Sequence, residues 1–120
     1  MIATELSENL AILTENLLFL SESDYPFEIS VLNNLADLDL TETTLISLND
    51  FLQNAATHKE WHETDEKATV LRYQNLLDFI AKHGNIIGVY KTKPPLATIY
   101  LVLQSLDNQY VVLSTKVVET

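Results

Sequence analysis

Three apolar runs close the chain and constrain its fold more than any other feature: IIGVY at 86–90, ATIYLVL at 97–103 and YVVLSTKVV at 110–118. Each is rich in β-branched and aromatic side chains, the composition of a pleated strand. Pro94-Pro95 falls between the first two, and Leu106-Asp107-Asn108-Gln109 between the last two. Connections that short join antiparallel neighbours, because a parallel crossover needs a dozen residues or more. Both alternating sets in these runs are large and apolar, Ile99 and Leu101 on one side, Tyr100 and Val102 on the other. A strand with one wet face would alternate apolar with polar. The expectation is a sheet covered on both faces, an α+β three-layer α/β/α sandwich with a mostly antiparallel sheet. At 120 residues the chain fits one domain, 1–120, with a core that needs no staples.

Upstream, Leu6, Leu10, Leu13, Leu17 and Leu20 recur at helical spacing, with Glu5, Glu8 and Glu15 on another flank. This first helix is expected to run into SESDYP (21–26), where Pro26 disfavours a helical Tyr25. FEISVL (27–32) reads as a strand, 33–42 as loop and TTLISL (43–48) as a short strand. Asn49 or Asp50 caps a short helix through Ala56. The loop THKEWHE then leads to a strong helix near 65–82, capped by Thr64. In it Val70, Tyr73, Leu76, Leu77, Ile80 and Ala81 share one broad face, and Gly84 stops it. His83 places a charge near that helix C-terminus.

Seventeen acidic residues against seven basic ones leave a formal charge of −10. Nucleic acid and anionic lipid, both polyanions, repel such a chain, so neither direct nucleic-acid binding nor membrane binding is expected. Its electrostatic partner is a basic surface, and clefts that hold nucleic acid are strongly basic. The absence of cysteine excludes disulfides, iron–sulfur clusters and thiol chemistry. The first twenty residues carry three glutamates and no lysine or arginine, unlike a secretory signal. No run reaches the roughly 18 apolar residues that span a membrane. The expectation is a soluble, cytoplasmic protein.

HKEWHE gathers His58, Glu60, His62 and Glu63, but a zincin helix needs H-E-x-x-H, and Lys59 stands where the glutamate belongs. A third ligand of the right type does not follow, as catalytic zinc requires. The stretch reads as a solvated linker anchored by Trp61. Nucleophile elbows and phosphate-cradling loops are absent, and two glycines cannot build one. The chain is therefore read as no enzyme and as having no cofactor of its own. A hydrolase using the acidic loop and the histidines is a distant third reading.

Two features remain. Glu22 and Asp24 lie in a short loop after an apolar helix, a usual place to present a carboxylate to a partner, although they could equally solvate a helix end. In the terminal KVVET, a strand runs to within two residues of Thr120. The hydroxyl and carboxylates of Glu119 and Thr120 are hard oxygens suited to a metal or a cationic pocket. The plainer alternative is that the strand simply stops there.

LLFLSESDYPFE (17–28), DFLQNAATHKEWHETDEKATVLRYQNLLDFI (50–80) and LSTKVVET (113–120) make the chain resemble the nuclease A inhibitor family. These stretches cover a little under half of it, and the first and last follow the family's pattern closely. The resemblance implies a fold similar to that of plant pathogenesis-related PR-1 proteins. It also implies a bacterial protein that inhibits a sugar-non-specific nuclease of the ββα-metal class, with magnesium or manganese in a basic active site. Glu22 then matches the acid that reaches into that site, Thr120 the terminal residue that meets the nuclease's metal ion, and Trp61 an interface tryptophan. The inhibitor is expected to be a monomer when free and to bind one to one. His62 stands where the family usually has an aromatic residue, 29–49 is shorter and 84–111 matches poorly, so contacts there do not transfer. The alternative is an acidic adaptor or structural binding protein for another basic partner.

Overall fold

A computed structural model of the chain describes residues 1–15, 17–19, 25–48, 51, 64–93 and 95–118. In chain order the elements are α1 (Ala3–Thr14), β1 (Leu18–Phe19), β2 (Tyr25–Pro26), β3 (Glu28–Leu32) and β4 (Thr44–Ile46). Then come α2 (Thr64–His83), β5 (Asn85–Lys91), β6 (Leu96–Gln104) and β7 (Tyr110–Val118). The three C-terminal runs form the expected antiparallel meander, with β4 added beside β5 and β3 beside β7. The sheet order is β3-β7-β6-β5-β4. The last strand is thus an interior strand, hydrogen-bonded on both sides. Asn108 makes the β6–β7 turn at φ 60°, a left-handed conformation that asparagine tolerates better than most residues.

The register sets one face of the sheet as the core. Val89, Leu101 and Leu113 lie side by side across three strands, as do Leu103 and Val111. With Ile99 they pack against Ala3, Leu6 and Leu10 of α1 and Tyr73, Leu76 and Ile80 of α2. The expected face of α2 is buried at Val70, Tyr73, Leu76 and Ile80 and half-buried at Leu77, while Ala81 is exposed. Both described α-helices contribute to this one core. On the opposite face Val102 and Val112 are buried, whereas Tyr90, Thr98, Tyr100 and Ser114 are half-buried. The architecture among the described residues is a mixed α+β globule with two α-helices and a five-stranded antiparallel sheet. None of its helices is long and apolar enough to cross a membrane.

The first helix ends earlier than its leucine spacing predicts. It stops at Thr14, and Leu18–Phe19 turns into a strand. The end is held from 57 to 59 residues away: Arg72 of α2 donates to the carbonyls of Leu13 (3.2 Å) and Glu15 (2.5 Å). A longer helix would have used Leu13 O for its own ladder. Leu17 N–H instead bonds Thr14 O (3.0 Å), and Leu17 is still buried in the core. At its start, α1 lacks a cap from its own sequence, and Asp107 of the β6–β7 turn accepts from Ala3 N–H (3.0 Å).

Elsewhere the differences are small. The stretch 33–42 holds one 3₁₀ turn, Leu35–Asp37, capped by the Asn34 side chain. The proposed short helix to Ala56 lies outside the described residues except at Phe51, whose N–H donates to Ser47 O (3.1 Å). Gly84 does stop α2, but not through a left-handed cap, since no glycine has positive φ. A Cβ there would stand 2.8 Å from Ile80 O and 3.1 Å from Leu103 Cδ2, so only glycine lets β5 begin at once.

Candidate functional site

Glu22, Trp61 and Thr120 lie outside the described residues, as do the histidines and glutamates of 58–63. The chain on either side of each is described. β1 and β2 pair antiparallel, Leu18 with Pro26 and Phe19 with Tyr25, so the stretch carrying Glu22 joins the two strands of a small hairpin. Phe27 then turns its ring into the core, 6.2 Å from the ring of Tyr73 and 6.4 Å from that of Phe51. These aromatic contacts anchor the hairpin base to α2.

Pro26 explains why the hairpin is separate from the main sheet. The β3–β7 ladder ends at Glu28 paired with Ser114. Continued in the same register, Phe27 would face Thr115 and Pro26 would face Lys116, and Pro26 has no N–H to donate. In place of a ladder bond, the buried hydroxyl of Thr115 donates to Pro26 O (3.0 Å), with Tyr25 O at 3.4 Å as a second acceptor. The base of the hairpin is therefore fastened to β7 by a side chain.

β7 continues past this point. It stays paired with β6 as far as Val118, opposite Leu96, two residues before Thr120. Tyr25, Pro26, Glu28, Thr98, Ser114, Thr115 and Lys116 line a groove of about 160 Å³ between the hairpin base and the two strands. α2 begins at Thr64, three residues after Trp61, and meets the hairpin base through Tyr73. Among the described residues no group of three or more histidine, aspartate or glutamate side chains is placed to hold a metal ion.

Thr115 and Arg72 were not singled out by the sequence pattern. Thr115 did leave a trace: it is the polar member of the otherwise apolar set Val111, Leu113, Thr115 and Val117. Arg72 left none, since an arginine on an amphipathic helix ordinarily faces water.

A family model described as nuclease A inhibitor-like protein matches residues 4–120, nearly the whole chain. No curated protein matches it significantly.

Proposed function

Because the chain belongs to the nuclease A inhibitor-like family, we propose that it is a protein inhibitor of a nuclease and performs no catalysis itself. The family match over residues 4–120 is the observation that carries this reading. The target is a metal-dependent, sugar-non-specific endonuclease of the ββα-metal class, met one to one in the cytoplasm of a bacterial producer. Glu22 takes the place of a phosphate oxygen opposite an arginine, which favours planar anionic partners. Thr120 offers its oxygens to the nuclease's own magnesium or manganese ion, which keeps positions open for phosphate and water. Trp61 adds an apolar anchor beside the charged centre, the side-chain type common at interface hot spots.

The fastening of Tyr25 and Pro26 to Thr115 supports this mechanism. It anchors the chain three residues from Glu22 to the strand that leads, five residues on, to Thr120. Two segments distant in sequence are thereby tied at their bases.

The test is an inhibition titration against a magnesium-dependent ββα-metal nuclease. The wild type is expected to inhibit at one equivalent. Glu22→Ala should weaken binding by about 2–5 kcal/mol, the cost of leaving a buried cation unpaired. One glycine added after Thr120 shifts the end carboxylate by about 3.3 Å along a continued strand and should reduce potency sharply. No inhibition by the wild type refutes the reading; full potency of both variants refutes the assigned residues.

A further inference from the structure

We propose that Thr115 is a positioning residue that couples the two inhibitory segments, holding the hairpin that carries Glu22 in fixed relation to the strand that carries Thr120. The inference rests on the inhibitor reading above. It follows from where the hydroxyl is and what it does.

Thr115 is only 3% exposed and lies on the core-facing side of β7, opposite Ile99. Its neighbours on that side of the strand, Val111 and Leu113, are apolar and buried. Valine would fill the same space with no hydroxyl to bury, and burying a hydroxyl is unfavourable unless it is hydrogen-bonded. This one is bonded, to Pro26 O (3.0 Å) and, at longer range, to Tyr25 O (3.4 Å). Those are backbone carbonyls of a segment that proline has taken out of the main ladder. The β3–β7 register stops at Glu28, and the bond from Thr115 lies just beyond it. Thr115 thus ties the hairpin base to the terminal strand through a side chain. Loss of the hydroxyl leaves the core filled and both strands paired, but frees the hairpin to shift relative to the end of β7. Binding that uses both segments at once would register that shift.

The experiment compares wild type, Thr115→Val and Thr115→Ser as full chains. It uses two readouts: association and dissociation rates with a magnesium-dependent ββα-metal nuclease, and amide exchange of the free protein over 17–19 and 25–28. Thr115→Val is expected to bind about tenfold more weakly, a factor equivalent to one net hydrogen bond, through faster dissociation. It should also exchange faster in the hairpin base while the β5–β6 amides keep their protection. Thr115→Ser should restore both. In a Glu22→Ala background the valine substitution should cost little further affinity, because the contact it positions is already gone; a purely structural role would give additive losses. Wild-type inhibition together with unchanged binding and exchange in Thr115→Val overturns this inference alone. Failure of the wild type to inhibit overturns the inhibitor reading and the inference with it.

Discussion

Replacing Arg72 by methionine tests how the chain is turned out of α1 and into the hairpin. Methionine keeps an apolar stem of similar length, so packing along α2 is largely retained. What is lost is the guanidinium and its two bonds, to Leu13 O in a partly buried setting and to Glu15 O at the surface. Bonds from a charged donor contribute roughly 1.5–3 kcal/mol each when shielded, and water recovers most of an exposed one. The partly buried bond then counts for about 1.5 kcal/mol and the exposed one for about 0.5, a total near 2 kcal/mol. For a domain of this length, with an unfolding entropy near 2 cal/mol/K per residue, that corresponds to a fall of about 8 °C in Tm. Urea and thermal unfolding followed by circular dichroism measure it directly. Arg72→Lys should recover about half, since both bonds come from the terminal Nη2, which the shorter lysine reaches less well, although its ammonium keeps the charge and donors enough for both carbonyls. If Arg72→Met unfolds within about 0.5 kcal/mol of wild type, the range of an ordinary surface change, then Arg72 does not terminate α1.

Two further outcomes follow from the charges. The Asp107 carboxyl is held below its ordinary value of 3.8, first by the Ser105 hydroxyl that donates to it and then by Ala3 N–H. A lowered folded-state pKa gives stability that is present above the ordinary value and lost as pH falls through the lowered one. Asp107→Asn should therefore flatten the acid limb of the stability curve below about pH 4; an unchanged slope there would show that Ser105 and Ala3 do not hold the Asp107 carboxylate in its charged form. The −10 charge should steer encounter with a basic nuclease, so raising salt from about 0.05 to 0.5 M should slow association more than it speeds dissociation. An on-rate indifferent to salt refutes steering.

The strands at 86–118 were legible because short β-branched and aromatic runs, broken by turn residues, suit a covered strand better than a helix. α2 was legible because its apolar residues recur at the helical period over a long segment. The end of α1 was not. Leu17 and Leu20 continue the helical spacing of Leu6, Leu10 and Leu13, and an apolar run of that kind suits a strand as well as a helix. The end of the helix is held by Arg72, a contact almost sixty residues away that no local pattern encodes. The cover of the sheet is established for one face only. Large residues on both alternating sets suggested helices on both faces, yet both described helices pack on the Leu101 face. On the other face Gly88 leaves room for the Tyr90 ring, which would stand 2.9 Å from an added Cβ, so aromatic side chains supply part of their own cover. The residues assigned to the site came from motif resemblance. Their supports, Thr115 and Pro26, became visible only through the register of β3 on β7.

That register also bears on the energetics of inhibition. A chain terminus is usually a poor recognition element, because ordering each residue's backbone on binding costs about 1–2 kcal/mol. Here β7 is paired on one side through Ser114 and on the other through Val118, in the interior of the sheet. Through Val118 the backbone of β7 is already ordered by pairing, so binding has little freedom left to remove there. The strands of the hairpin are ordered in the same way, since Phe19 pairs directly with Tyr25. Preorganisation raises affinity by cutting ordering losses rather than by adding contacts. On the proposed inhibitor reading, segments that leave paired strands meet a cationic site with a smaller ordering loss when both are held by the same strand. In this fold that strand is β7, and the side chain on it that reaches the hairpin is Thr115.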